Sequence, residues 1–194
     1  MARKIEEVVL AADAAVADAV KPHAAHPLVR AISVTSEIGD QPQMRLLCAS
    51  VVAAGILRRD GKMVRTGFAM LAAHTLATLA KDVVKERVDR TRPHAKHKKG
   101  KDHRVSRGGA TSKEETSFPS GHTAGAIAVA RAFAREYPEH AAAAYGAAGF
   151  VALAQIPRCA HYPSDVGAGL AIGLAAELAT DAVLRHPDEK GRLA

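Results

Sequence analysis

Apolar residues recur at helical spacing from the start of the chain. Ile5, Val8, Val9, Ala12, Val16 and Val20 fall on one face with acids opposite, which predicts an amphipathic first helix. Pro22 and Pro27 break that pattern, and a short second helix over residues 28–38 ends near Gly39. Residues 46–57 are apolar and uncharged as far as Leu57, and Arg58 to Lys62 read as a tight connection. Thr66 to Ala80 is again uncharged, and its helical pattern carries on to about Val88, with Arg92-Pro93 as the stop. Residues 94–117 are rich in His, Lys and Gly, lack periodicity, and read as a polar loop too long to be a simple connector. Three more helices follow, over residues 121–136, 141–156 and 164–184, separated at Pro138 and Pro157. Gly167, Gly169 and Gly173 in the last have spacings that permit close helix–helix contact. The expectation is an all-α bundle of six or seven helices.

The uncharged windows run twelve to seventeen residues and several are mostly alanine. Spanning a bilayer takes about twenty predominantly apolar residues, so each window is marginal by itself. Single crossings by 46–57, 66–84, 122–136, 141–156 and 164–184 would nevertheless put every polar feature singled out below on one side. That arrangement predicts a multi-pass protein of the cell membrane. A soluble helical bundle satisfies the same geometry. Basic residues give mixed advice on orientation: Arg58, Arg59, Lys62 and Arg65 mark one side as cytoplasmic, but the other side carries more positive charge.

Composition fits this picture. The 194 residues suit one domain, with alanine dominating the apolar half, few aromatics and no Trp. Cys48 and Cys159 have neither metal-ligand nor paired spacing, so no disulfide framework is expected. Glu6, Glu7, Asp13 and Asp18 stand where a cleavable signal peptide would need an uncharged stretch. The net charge of +7 is uneven: residues 81–113 hold twelve Lys or Arg against four acids, which is +8, leaving −1 elsewhere. Such a block can attract nucleic acid, anionic headgroups or a phosphorylated substrate. Aromatics for base stacking are scarce and no DNA-binding motif appears, so no nucleic-acid partner is expected. His94, His97 and His103 lack Cys or acidic partners at ligand spacing, and no metal or cofactor is expected there.

Three stretches carry candidate chemistry. Lys85 and Arg92-Pro93 are separated by six residues and offer a point charge and a planar fork for phosphate oxygens. Pro119-Ser120-Gly121-His122 runs into a helix start, where free N–H groups and the dipole favour an anion. His161 and Asp165 stand four apart near another helix start. Singly, each has a bland reading: a cap at Ser120-Gly121, a turn at His161-Tyr162-Pro163, and an N-terminal helix acid at Asp165.

In this order the three stretches resemble the superfamily of type 2 phosphatidic acid phosphatases, bacterial class A acid phosphatases and vanadium haloperoxidases. The first family motif, K-x6-R-P, matches Lys85, Arg92 and Pro93, and the second, P-S-G-H, matches Pro119 to His122. The third, S-R-x5-H-x3-D, matches only His161 and Asp165: Ala154 and Gln155 replace its Ser and Arg, and Arg158 stands three residues before His161. The resemblance implies a phosphatase core over residues 64–184 carrying the basic loop 94–117, preceded by N-terminal helices over 1–63 and followed by a polar tail over 185–194.

Spacing and resemblance agree on an allocation of roles. His161 is the nucleophile, oriented by Asp165, and forms a phosphohistidine; His122 protonates the leaving alkoxide. Lys85, Arg92, Ser120 and Gly121 hold the phosphate, and Arg158 supplies the guanidinium missing at Gln155. The implied substrate is a phosphate monoester or diphosphate, in many relatives that of a lipid such as a polyprenyl diphosphate or phosphatidate. The alternatives are a soluble acid phosphatase, a vanadium haloperoxidase, or a basic helical protein binding nucleic acid or membrane.

Overall fold

The computed structural model describes residues 2–99, 105–110 and 112–190. His103 and the end of the polar tail lie outside them. The helices among the described residues are α1 (Ala2–Val20), α2 (Pro27–Ser36), α3 (Gln41–Arg58), α4 (Gly61–Lys85), α5 (Pro93–Lys99), α6 (Gly121–Glu136), α7 (Ala141–Ala154) and α8 (Pro163–Lys190). A small antiparallel ribbon pairs β1 (Val88–Arg90) with β2 (Val105–Arg107). The all-α expectation holds, with α5 and the ribbon as additions.

Local chemistry sets the boundaries. Pro27 opens α2 behind a His26 ring that accepts from the Leu28 N–H, and Asp60 opens α4 by accepting from the Met63 N–H at 3.0 Å. Arg59 ends α3 in the left-handed conformation, φ 54°. Ser120 caps α6.

The alanine-rich α6 is the axis of the bundle, buried almost throughout and packed against α4, α7 and α8. A Cβ on Gly169 would lie 2.5 Å from the Ser120 carbonyl oxygen, and one on Gly173 would lie 2.5 Å from that of Ala124. The backbones of α6 and α8 therefore touch at these two glycines, whereas Gly167 is exposed and faces open space. Farther along the pair, the buried Glu177 carboxylate accepts from Arg131 Nε at 2.5 Å and Arg135 Nε at 2.8 Å. Because α6 and α8 start together, the positive ends of both dipoles converge at one end of the bundle, beside the C-terminus of α4.

Packing in this core relies on small side chains: Ala73, Ala77, Ala124, Ala128, Gly55 and Gly67 lie inside. Large apolar residues point out instead, among them Leu46, Leu57, Phe68, Leu79, Leu153, Leu170 and Leu178 on α3, α4, α7 and α8. By length and composition α8 alone, over Pro163–Leu184, qualifies as a membrane span among the described residues.

Two findings modify the sequence reading. The first helix is amphipathic, but Ile5, Val8, Val9 and Val16 on its apolar face are exposed. It docks through Asp13 and Ala17, and Asp13 pairs with Arg90 Nη2 at 2.6 Å. The second concerns the stretch around 94–117. The α4 helix stops at Lys85, because Val88–Arg90 pairs with Val105–Arg107, and α5 follows. Residues 112–117 are stitched down: the Lys85 ammonium donates to the Thr116 carbonyl at 3.0 Å, Arg92 Nε to the Lys113 carbonyl at 2.7 Å, and the Ser117 N–H to the Arg90 carbonyl. Cations with no periodicity in sequence anchor this segment by long-range bonds.

Candidate active site

At the end of the bundle where α6 and α8 begin, the candidate residues meet. The turn between α7 and α8 brings in His161, which is buried at 3 % exposure. Its backbone N–H and that of Ala160 both donate to the Gln155 carbonyl, which fixes the turn. The Gln155 amide itself donates to Val151 within its own helix. The residue at the family's arginine position thus shapes the loop that carries His161.

His161 Nδ1 faces Asp165 Oδ2 at 3.6 Å, long for a hydrogen bond, as such pairs are in unliganded sites. That leaves Nε2 as the free ring nitrogen. Asp165 has no exposure and both oxygens are engaged: Oδ2 accepts from the Tyr162 N–H at 2.9 Å, Oδ1 from Arg90 Nη1 at 2.6 Å. Its carbonyl accepts from the Ser120 N–H at 3.0 Å, which ties the third motif to the second.

Ser120 is fully buried, and its Oγ accepts from the Thr123 hydroxyl at 2.9 Å. With that oxygen occupied, its own hydroxyl hydrogen is free to donate. Gly121 and His122 head α6, where the N–H groups have no intrahelical acceptor. His122 Nε2 lies 2.7 Å from Asp40 Oδ1, which reaches in from the connection between α2 and α3. The Lys81 stem packs over Gly121, 3.2 Å from where a Cβ would sit, so a second lysine, paired with Asp82, stands one turn before Lys85.

Lys85 and Arg92 border the same space. Burial, then the charges of Arg92 and Lys81, pushes the Lys85 ammonium down to about 8. Burial also lowers Arg92, against the pull of Asp165. His161 is pushed down to about 4, first by burial and then by Arg92 and Lys85, with Asp165 opposing. The imidazole is therefore neutral at ordinary pH. Arg158 stands beside this group and bears electrostatically on Arg92 and His122, while its Nη1 donates to Ser36 Oγ at 3.0 Å and its Nη2 lies 3.7 Å from Glu37. His94, weighed above as a metal ligand, has Nδ1 3.2 Å from the Cys159 carbonyl.

Three residues here escaped sequence reasoning: Asp40, Arg90 and Asp13. Arg90 is 3 % exposed and bridges two carboxylates, Asp165 and Asp13, the latter through Nη2 at 2.6 Å. Its guanidinium lies 4.3 Å over the Tyr162 ring. Asp13 in turn accepts from the Ser164 N–H at 3.1 Å and from the Ser164 hydroxyl. The result is one buried chain of contacts from α1 to Asp165, which faces His161.

Helices converge here on a cationic pocket in which a histidine faces a carboxylate, an arrangement suited to holding an anionic group. The chain belongs to the PAP2 superfamily, whose family model matches residues 64–185. Over 79 residues it is 40 % identical to a lipid A 1-phosphatase from Porphyromonas gingivalis, a match covering 37 % of this chain and 18 % of that protein. The matched region is thus under a fifth of that relative's length. In fold it is similar to the crystal structure of a transmembrane PAP2 type phosphatidylglycerolphosphate phosphatase from Bacillus subtilis, with TM-score 0.67 and 21 % identity. That likeness covers 94 % of this chain and 87 % of the other.

Proposed function

We propose that this chain is a multi-pass membrane phosphatase that releases phosphate from a lipid phosphate monoester or diphosphate without a metal. One observation carries the reading: a buried cationic pocket holding a neutral, carboxylate-oriented histidine sits at the end of helices whose outward faces are apolar. Those faces suit lipid, and the small-residue interior suits helices packed in a bilayer. The lipid phosphatases named above support a lipid substrate.

In the proposed reaction the phosphoryl oxygens are held by Lys85, Arg92 and Arg158, the Ser120 hydroxyl and the N–H groups of Gly121 and His122. His161 Nε2 attacks phosphorus, the bond from phosphorus to the alcohol oxygen breaks, and His122 gives that oxygen its proton. Water then attacks the phosphohistidine, His122 takes the proton, and phosphate leaves. Asp165 stabilises the positive ring of the intermediate, and Asp40 Oδ1, 2.7 Å from His122 Nε2, orients the His122 ring. Three cations provide the charge compensation that a metal would otherwise supply.

The test is phosphate release by the purified chain, in neutral detergent with a chelator present, from a panel of phosphatidate, phosphatidylglycerol phosphate, a polyprenyl diphosphate and p-nitrophenyl phosphate. Turnover of at least one lipid, inhibited by vanadate, is expected. Turnover of the soluble ester alone would remove the lipid assignment, and a requirement for metal would remove the mechanism.

A pH dependence follows from Lys85. Its charge holds the phosphate and is lost as pH rises through about 8, whereas His161 loses its free nitrogen only as pH falls through about 4. On p-nitrophenyl phosphate, whose leaving group needs no proton from His122, kcat/KM, which reports the free enzyme, should decline above about pH 8. Lys85→Arg keeps its charge far higher, so that limb should move up by about one unit or more with the acid side unchanged. An unmoved alkaline limb would show that another group controls it.

A further inference from the structure

Beside the catalytic pocket lies a cleft of about 510 Å³ whose charged lining is entirely basic, Lys21, Arg30 and Arg158, with the His94 ring beside them. No carboxylate lines it among the described residues. Lys21 belongs to the 3₁₀ turn after α1 and Arg30 to α2, both outside the region matched by the family model. Both are exposed, and neither side chain makes a hydrogen bond or ion pair with another described residue.

The cleft shares a wall with the active site. His94 follows Arg92-Pro93, and its N–H donates to the Cys159 carbonyl at 3.0 Å. Cys159 lines the cleft, and two residues on is His161. Arg158 faces both spaces: it lines the cleft and acts electrostatically on Arg92 and His122. An anion bound by Lys21 and Arg30 would therefore lie next to a phosphate bound by Arg92.

We infer that this cleft is a subsite for a second anionic group on the substrate headgroup, so that the preferred substrate carries two phosphate groups and the one beside His161 is cleaved. The inference rests on the phosphatase reading above and narrows its substrate class. Cations lining one cleft without a carboxylate create a positive potential that attracts a second negative group of the same substrate. Each charge-assisted hydrogen bond it gained would favour the doubly anionic substrate.

The experiment compares pairs that share an apolar part: farnesyl diphosphate against farnesyl monophosphate, and phosphatidylglycerol phosphate against phosphatidate. Full-length protein is assayed in neutral detergent micelles, which removes general attraction to an anionic membrane. Wild type should prefer the doubly anionic member of at least one pair by about tenfold or more in kcat/KM. Lys21→Ala with Arg30→Ala should remove most of that preference and change the monophosphate rate by less than about twofold. Lys21→Arg with Arg30→Lys should retain it. Equal losses on both members, or no loss in either pair, would overturn the subsite while leaving the phosphatase intact. No phosphate release by wild type from any substrate would overturn both readings.

Discussion

His161→Ala is expected to abolish turnover of every substrate while leaving the helical fold in place. Among the described residues the side chain is the only imidazole paired with Asp165, and the turn carrying it is held by backbone bonds to Gln155 that do not involve the ring. Removing a nucleophile from a site that acts as a unit costs on the order of 10⁴-fold or more in kcat. A variant retaining above about a tenth of the wild-type rate would exclude the assignment, because that is a loss of only about 1.4 kcal/mol. His122→Ala should behave differently. A general acid contributes about 10²–10⁴-fold, and its contribution shrinks when the leaving group needs no proton. The His122 variant should thus lose far more on an alkyl phosphate than on p-nitrophenyl phosphate, whereas the His161 variant loses both equally. Measuring the two variants on the two substrates separates nucleophile from acid, and reversal of the pattern would exchange their roles.

The helices were legible because their apolar runs are long and their breaks are chemical: Pro22, Pro138 and Pro157 fall between α-helices, and Pro27 opens one. The side of α1 that would be buried was not. Ile5, Val8, Val9 and Val16 form the better apolar stripe, yet Asp13 decides the docking by pairing with Arg90 across 77 positions of sequence. The ribbon was hidden for a similar reason: two strands of three residues each, in a basic stretch, lack an alternating pattern long enough to register. In the site, residues with motif spacing were readable, since helix geometry converts spacing into position. Asp40, Arg90 and Asp13 were not, because nothing local to them marks a partner that only tertiary packing brings near. Gln155 was visible as a substitution in a motif. What could not be read was that its carbonyl, a group every residue carries, would hold the turn of His161.

Breaking the buried chain behind Asp165 should damage both stability and turnover. Arg90→Met keeps much of the side-chain volume but strands two carboxylates, each at most 4 % exposed at the side chain, without their cation. Removing one member of a buried ion pair costs about 3–5 kcal/mol, because the partner's desolvation is no longer offset. Asp13→Asn is milder: it preserves shape and can still accept from Ser164, while the Arg90 guanidinium keeps Asp165. If Asp13 only fastens α1 to the bundle, the asparagine variant should melt earlier with kcat unchanged. If instead Asp13 fixes the direction in which Arg90 presents its charge to Asp165, kcat should fall roughly tenfold with KM unaltered, since phosphate is gripped by other residues. The second result is expected, as Arg90 Nη1 and Nη2 contact the two carboxylates separately and losing one frees the fork to rotate. A double-mutant cycle between Asp13→Asn and Asp165→Asn reads the coupling directly. A coupling in kcat near zero would show that the N-terminal helix has no part in orienting the catalytic carboxylate. A value of about 1 kcal/mol or more would place α1 in the catalytic machinery, although it lies entirely outside the three motifs.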